Sequence, residues 1–167
     1  MPSQKFLIEA MIAPIPHNFR GLILELGTGT GPLTLRLAKK CPEATIRACE
    51  INPILAVDAR QNLARAGVNG QVQVLAISAQ ELLSQIAGQT GEKPSYIISG
   101  IPLGNLRRKA VLGLLEAARS ALSEQGMFVQ AQHFLIDREH VRATFGALRT
   151  VPILLNFPPV FVYYARK

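Results

Sequence analysis

The sequence has no tryptophan, only two cysteines and few charged residues (17%), and none of its apolar runs is long enough to span a membrane. A membrane-spanning helix needs about 20 apolar residues, whereas three prolines interrupt the most apolar stretch, 151–165. Cys41 and Cys49 are too few for a secreted disulfide scaffold. No cluster of His, Cys, Asp and Glu has the spacing of metal ligands, so we expect no bound metal.

The remaining composition is that of a folded, basic chain. Hydrophobic residues make up 49% of the 167 residues, which excludes intrinsic disorder, and the length predicts a single domain over 1–167. Lys and Arg number 18 against 11 Asp and Glu, and the net charge of +7 favours an anionic partner, either nucleic acid or a membrane surface. Residues 1–5 lack the layout of a signal peptide, so we expect a cytoplasmic protein.

Short β-branched runs alternate with helical patterns along the chain, which is typical of an α/β fold with a mainly parallel sheet. Strands are predicted over 22–26, 44–49, 72–77, 96–99, 127–131, 151–157 and 160–164. Helices are predicted over 3–13, 33–40, 53–66, 79–86, 109–123 and 137–148. We expect the last two strands to form an antiparallel pair joined at the two prolines 158–159.

The most informative segment is Glu-Leu-Gly-Thr-Gly-Thr-Gly at 25–31, between a predicted buried strand and a predicted helix. Glycines let the backbone turn sharply and approach a ligand without Cβ atoms in the way. The helix that follows offers unpaired N–H groups at its start. Glu50 stands at the end of the next strand, where an acidic side chain can accept hydrogen bonds from ribose hydroxyls.

Two cofactor classes use such a loop. In the dinucleotide-binding pattern G-x-G-x-x-G the third glycine would fall on Pro32, which does not fit. The spacing G-x-G-x-G with Glu25 two positions earlier resembles motif I of class I S-adenosylmethionine-dependent methyltransferases. The resemblance implies a Rossmann-like fold, a seven-stranded, mainly parallel sheet with an antiparallel C-terminal strand and helices on both faces. It also implies S-adenosylmethionine as cofactor and S-adenosylhomocysteine as product.

The resemblance assigns cofactor contacts to the ends of four strands, with Glu25 facing the positively charged amino-acid end of the cofactor. The family often has an Asp after the third strand, where this chain has Ser78, with Gln80 nearby. Either residue could contact the cofactor in place of the Asp, or could instead cap the next helix. The expected cofactor contacts are Glu25, Gly27, Thr28, Gly29, Gly31, Glu50, Ile51, Ser78, Ala79 and Ser99.

The residues after the fourth strand, Ser-Gly-Ile-Pro-Leu-Gly-Asn-Leu at 99–106, bear on the methyl acceptor. Methyltransferases that modify base amines usually carry an Asn or Asp, a proline and an aromatic ring here, whereas this chain has Ser99 and Leu103. The segment resembles the Ser-Gly-Leu-Pro-Leu stretch of bacterial phospholipid N-methyltransferases, and 156–163 is similar to that family's closing Asn-x-Pro-Pro-Ala-x-Val-Tyr. The resemblance covers 21–164, but the family's basic N-terminal extension is reduced to Lys5.

This second resemblance implies an acceptor that is a phospholipid, of the phosphatidylethanolamine type, or another apolar molecule. It also implies peripheral contact with the anionic inner face of the membrane, and makes nucleic acid the less favoured partner. We expect the acceptor pocket to be walled by Ile101, Pro102, Leu103 and Asn156, with Arg107 and Arg108 at its mouth to hold a lipid phosphate. The candidate catalytic residues are His133 and Tyr163.

Three other hypotheses stay open on the sequence. The chain could methylate RNA, as the ribosomal adenine dimethylases with the same motif I do. It could methylate a small molecule, in which case its basic charge is incidental. It could also bind the cofactor without catalysing any reaction.

Overall fold

The computed structural model describes residues 2–154 and 158–167, and its described helices and strands follow one another in the alternating order that the sequence predicts. The helices are α1 Pro2–Ile12, α2 Pro32–Lys40, α3 Pro53–Arg65, α4 Ala79–Ala87, α5 Arg108–Ala121 and α6 Arg138–Phe145. The strands are β1 Leu22–Leu26, β2 Thr45–Cys49, β3 Val72–Leu75, β4 Tyr96–Ser99, β5 Met127–Gln132, β6 Ala147–Ile153 and β7 Val160–Arg166.

The strands form one seven-stranded sheet in the order β3-β2-β1-β4-β5-β7-β6. The first five pair in parallel, and β7 lies antiparallel between β5 and β6. Successive residues of β1 point to opposite faces: Leu24 packs in the cluster formed with α4, α5 and α6, while Ile23 packs in the cluster formed with α1 and α2. The predicted fold class is confirmed.

The last helix and the strand after it differ from the prediction. The helix predicted over 137–148 ends at Phe145, because Gly146 adopts a φ of +89° that reverses the chain. Strand β6 therefore begins at Ala147 rather than at 151. Of the strand predicted over 151–157, residues 155–157 lie outside the described residues.

The register of the sheet brings four loops together at one edge. Leu26 pairs with Cys49 on one side and with Ser99 on the other, and Ser99 pairs with Gln130. The parallel strands β1, β2, β4 and β5 therefore end side by side, and open α/β sheets bind their ligands at this carboxyl edge. Within the described residues, no helix combines the length and the apolarity needed to cross a membrane.

Candidate active site

The glycine loop after β1 depends on backbone conformations that side chains disfavour. Gly27, Gly29 and Gly31 have φ values of +78°, +57° and +89°. The amides of Gly27 and Thr28 both donate to the Cys49 carbonyl at 3.0 Å, which ties the loop to the end of β2. Gly31 is the N-cap of α2. Two cavities lie at the carboxyl edge of the sheet, and Gly31 lines neither of them. Its role is therefore to shape the turn into α2.

Glu50 at the end of β2 is held by the backbone. Its Oε2 accepts from the Gly29 amide at 2.8 Å, and its Oε1 accepts from the Asn52 amide at 2.9 Å. The side chain is only 8% exposed. Because each carboxylate oxygen has two lone pairs, each can accept one further hydrogen bond. Glu50 is therefore fixed in place with acceptor capacity left over.

Glu50 lines a cavity of about 480 Å³, here called the Glu50 cavity, so its remaining acceptor positions are available to a ligand bound there. Its walls carry most of the predicted cofactor contacts together with apolar residues that the sequence does not single out. The predicted contacts that line it are Gly27, Gly29, Glu50, Ile51, Ser78 and Ala79. The additional apolar residues are Ile77, Leu106, Ala110 and Leu114.

Ser78 lines this cavity and also caps α4. Its hydroxyl accepts from the Glu81 amide at 3.1 Å, while the Glu81 carboxylate accepts from the Ser78 amide at 2.8 Å. These two bonds form a capping box, which satisfies two amides at the helix start. These hydrogen bonds lower the pKa of Glu81. The capping role that the sequence left open is thus the observed one.

Glu25 at the end of β1 is a buried carboxyl group, 3% exposed. The Thr34 hydroxyl donates to its Oε2 at 2.5 Å, and the hydroxyls of Thr28 and Thr34 hydrogen-bond to each other. Burial raises the pKa of Glu25 to about 7, and the two threonines partly oppose this effect. Among residues 2–154 and 158–167 no cation forms an ion pair with Glu25. Thr34, which the sequence does not single out, supports this carboxyl group.

Glu25 and Thr28 line a second, larger cavity of about 810 Å³, here called the Glu25 cavity. Residues of α1 and of the segment after β5 both contribute to its walls. The α1 residues lining it are Gln4, Leu7, Ile8 and Met11, and those after β5 include His133, Phe134 and Ile136. The sequence predicted only His133 of this set.

The two cavities meet along a boundary built from backbone. Gly27, Gly29, Gly100 and Pro102 are the described residues that line both. An added Cβ at Gly29 would meet no atom within 4 Å, so the space above this residue is open. A ligand can therefore lie across the boundary and reach into both cavities.

Several residues after β4 that were predicted to contact the acceptor, and Ser99, which was predicted to contact the cofactor, have other environments. Leu103 is fully buried in the core beside α5, because the short 3-10 turn that it begins directs it inward. Ile101 lines the Glu50 cavity instead, so Pro102 is the predicted wall residue that reaches the Glu25 cavity. Ser99 is also fully buried, and its hydroxyl accepts from the Ile101 amide at 3.3 Å. Burial contradicts a side-chain contact with the acceptor for Leu103 and with the cofactor for Ser99. The role of Ile101 stays a prediction.

The predicted phosphate-binding arginines are not part of either cavity. Arg107 and Arg108 are exposed at the start of α5 and line neither cavity. Asn156 lies outside the described residues.

Tyr163 has a structural environment. Its side chain is fully buried, and its hydroxyl lies 3.2 Å from the carbonyl oxygens of both Phe134 and Ile136, to which it can donate. Burial raises its pKa to about 12. Tyr163 lines neither cavity, so the structure does not place it for the predicted catalytic role. It holds the segment that carries His133.

Two glutamines of β5 lie near the loop after β4. Gln130 is fully buried, and its Nε2 donates to the Ile101 carbonyl at 2.8 Å. Gln132 lines the Glu25 cavity. Two polar residues at alternate positions of an otherwise apolar strand lie on one face, and this spacing is the signal in the sequence that could have identified them.

The fold and the site define a methyltransferase. Residues 3–157 match the methyltransferase small domain family, so the chain belongs to that family. It is an S-adenosylmethionine-dependent methyltransferase, which confirms the predicted enzyme class and cofactor.

Individual relatives differ in what they methylate. The chain is 26% identical over 172 residues to ornithine lipid N-methyltransferase of Singulisphaera acidiphila, covering 99% of this chain and 85% of that protein. It is 34% identical over 116 residues to tRNA1(Val) (adenine(37)-N6)-methyltransferase of Haemophilus influenzae, covering 62% of this chain and 50% of that protein. The chain thus matches about half the length of the tRNA methyltransferase.

Solved structures agree with the fold. The O-methyltransferase of Bacillus cereus in complex with SAH superposes with a TM-score of 0.76 at 19% identity, covering 100% of this chain and 82% of that chain. At this identity the likeness concerns the fold alone.

Proposed function

We propose that this enzyme methylates the amine of a lipid headgroup. The observation that carries the proposal is the run Phe134-Leu135-Ile136 beside the Glu25 cavity, whose side chains are 59%, 50% and 48% exposed. Exposed neighbouring apolar residues mark contact with an apolar partner. The net charge of +7 suits an anionic lipid surface, and the relative aligned over 99% of the chain is a lipid N-methyltransferase.

The residues at the carboxyl edge fit S-adenosylmethionine. Glu50 retains acceptor capacity for ribose hydroxyls, and Ile51, Ile77 and Ala79 offer apolar surface for an adenine ring. Glu25 is a buried carboxyl group without a cationic partner among the described residues, so it complements the positive charge of the cofactor's amino-acid end. When bound, the cofactor supplies a methyl group already activated by a sulfonium.

The protein's part in the reaction is to hold a neutral amine in line with that methyl group. Lipid headgroup amines are ammonium ions near neutral pH, so a base must first accept a proton. Among the described residues lining the Glu25 cavity, His133 and Glu25 are the titratable ones. We assign the proton to the His133 ring, because in this proposal Glu25 contacts the cofactor.

A second candidate is methylation of a nucleic-acid base. Phe134 lines the Glu25 cavity, and an exposed ring there can stack on a flipped base. The match to a tRNA methyltransferase points the same way. The loop after β4 has Leu103 where base methyltransferases usually have an aromatic ring. In this second candidate function, Phe134 after β5 supplies that ring.

The test offers the enzyme labelled S-adenosylmethionine with either vesicles of phosphatidylethanolamine and phosphatidylglycerol or an unmodified transfer RNA transcript. We expect label in the lipid. The variant Phe134→Ser should raise KM for vesicles, and Phe134→Leu, which keeps apolar bulk, should recover most of the loss. Val57→Ser on α3 is the control for an exposed apolar residue outside the site.

A base acceptor would give a different pattern. Label would enter RNA, and both Phe134 variants would fail alike, because stacking needs a ring and contributes about 1–3 kcal/mol per base. Label in RNA with none in lipid contradicts the lipid proposal.

A further inference from the structure

A basic groove of about 380 Å³ runs between α1 and α2. Three cations line it, Lys5 on α1 and Arg36 and Lys39 on α2, together with one carboxylate, Glu9. The Arg36 guanidinium pairs with Glu9. Among the described residues, neither Lys5 nor Lys39 takes part in an ion pair. The α1–α2 groove therefore has two cationic groups available for a ligand.

This groove adjoins the Glu25 cavity and shares three lining residues with it. Gln4, Ile8 and Pro32 line both, so a ligand in the cavity can extend past these residues into the groove. The wall between them is anchored, because Tyr164 donates to the Ala10 carbonyl and Lys40 donates to the Ile12 carbonyl at 2.7 Å. These bonds hold α1, which lines both the groove and the cavity, to β7 and to the end of α2.

The helix dipole favours the position of one of these two lysines and disfavours that of the other. Lys39 lies in the last turn of α2, where a cation is favoured by the helix dipole. Lys5 lies near the start of α1, where a cation is disfavoured and where the first turn carries no acidic residue. Glu9, four residues after Lys5 on α1, is the nearest acidic residue along this helix, but its carboxylate pairs with Arg36, so the charge of Lys5 stays available for an anionic ligand in the groove.

We propose that the α1–α2 groove binds the oxyanion of the acceptor headgroup, a phosphate or a carboxylate, while the headgroup amine occupies the Glu25 cavity. This assignment rests on the proposed lipid function. It moves the anion-binding role from Arg107 and Arg108, which line neither cavity, to Lys5 and Lys39. It also defines the substrate class, a lipid whose headgroup carries an amine and an oxyanion a few carbon atoms apart.

The experiment compares the double variant Lys5→Gln/Lys39→Gln with the wild type in micelles of a nonionic detergent, which removes the general charge of a membrane. The acceptors are phosphatidylethanolamine, ornithine lipid and a long-chain primary alkylamine without an oxyanion. The matched control is Lys93→Gln/Arg119→Gln, which removes the same charge from exposed residues before β4 and β5, at the opposite edge of the sheet. Calorimetric affinity for S-adenosylhomocysteine reports that the cofactor side is intact.

We expect the double variant to raise KM about tenfold for the lipids with an oxyanion, to leave KM for the alkylamine within about twofold, and to leave kcat largely unchanged. A larger effect with phosphatidylethanolamine than with ornithine lipid identifies phosphate as the preferred anion, and the reverse order identifies carboxylate. Equal losses for all three acceptors, or losses equal to those of the control, overturn the groove assignment alone. A wild-type enzyme that methylates RNA and none of the three amines overturns the lipid function and the groove with it.

Discussion

Replacing Glu25 with Gln tests the electrostatic character of the site. The substitution preserves the shape of the side chain and an oxygen that can accept from the Thr34 hydroxyl, but it removes the ionisable group. Burial raises the pKa of Glu25 from 4.5 to about 7. A shift of this size corresponds to roughly 3 kcal/mol of free energy, at about 1.4 kcal/mol for each pH unit.

The sign follows from proton binding. Because the folded state holds the Glu25 proton more tightly than the unfolded state, the unfolded chain loses its proton first as pH rises. Below the ordinary pKa of 4.5 both states are protonated and Glu25 has no effect on the pH dependence. Stability then falls as pH rises towards the folded pKa of about 7, and the loss is complete above it.

Urea unfolding of the cofactor-free protein at about pH 5 and about pH 8 measures this contribution of Glu25 to the free energy of unfolding. Glu25→Gln should be more stable than the wild type at the higher pH, and this advantage should shrink by roughly 2–3 kcal/mol at the lower pH. Calorimetry should also show weaker S-adenosylmethionine binding by the variant, with less dependence on pH near neutrality. Wild type and variant that keep a constant stability difference across this range would refute the assignment of a raised pKa to Glu25.

Three further substitutions test other parts of the site. Glu50→Ala should weaken S-adenosylmethionine binding by about 1–3 kcal/mol in calorimetry, since the hydrogen-bond partners of the carboxylate are left unsatisfied; unchanged affinity would contradict its role. Tyr163→Phe should cost about 1 kcal/mol in urea unfolding and speed amide exchange in the segment 133–137, because its hydroxyl no longer holds two carbonyl groups. A normal exchange rate would show that the hydroxyl does not anchor the segment. Leu103→Ala should lower stability by about 2–5 kcal/mol, as expected for a core leucine. If the substitution left the free energy of unfolding unchanged, Leu103 would not act as a core residue, and its predicted role in the acceptor pocket would stand.

The fold was predictable from local patterns. Alternation of short apolar runs with helical segments predicts the parallel sheet, and the asparagine and proline at 52–53 predict the start of α3, where the Asn52 side chain accepts from the Ile54 amide at 3.0 Å. The end of α6 was missed because Gly146 follows a helical pattern that continues in the sequence, and only its positive φ ends the helix.

The cofactor side of the site was more predictable than the acceptor side. Gly27, Gly29 and Glu50 follow directly from the ends of β1 and β2, so knowing the strands gives their positions. The Glu25 cavity instead combines α1 with the segment after β5, which are more than a hundred residues apart. The inward turn of Leu103 also depends on packing against α5, which the residue types in the loop do not reveal.

The boundary between the two cavities has a consequence for how this enzyme can change. Gly27, Gly29 and Gly100 have no side-chain rotamers, and Pro102 has a restricted ring. In the proposed binding mode the cofactor crosses this boundary from Glu50 to Glu25, so its position is set by main-chain geometry, which the sheet register determines. Under the same proposal, substitutions in α1 or after β5 can alter which acceptor enters the Glu25 cavity without moving the backbone that holds the cofactor. The proposed binding mode thus lets acceptor specificity change while the position of the cofactor is kept.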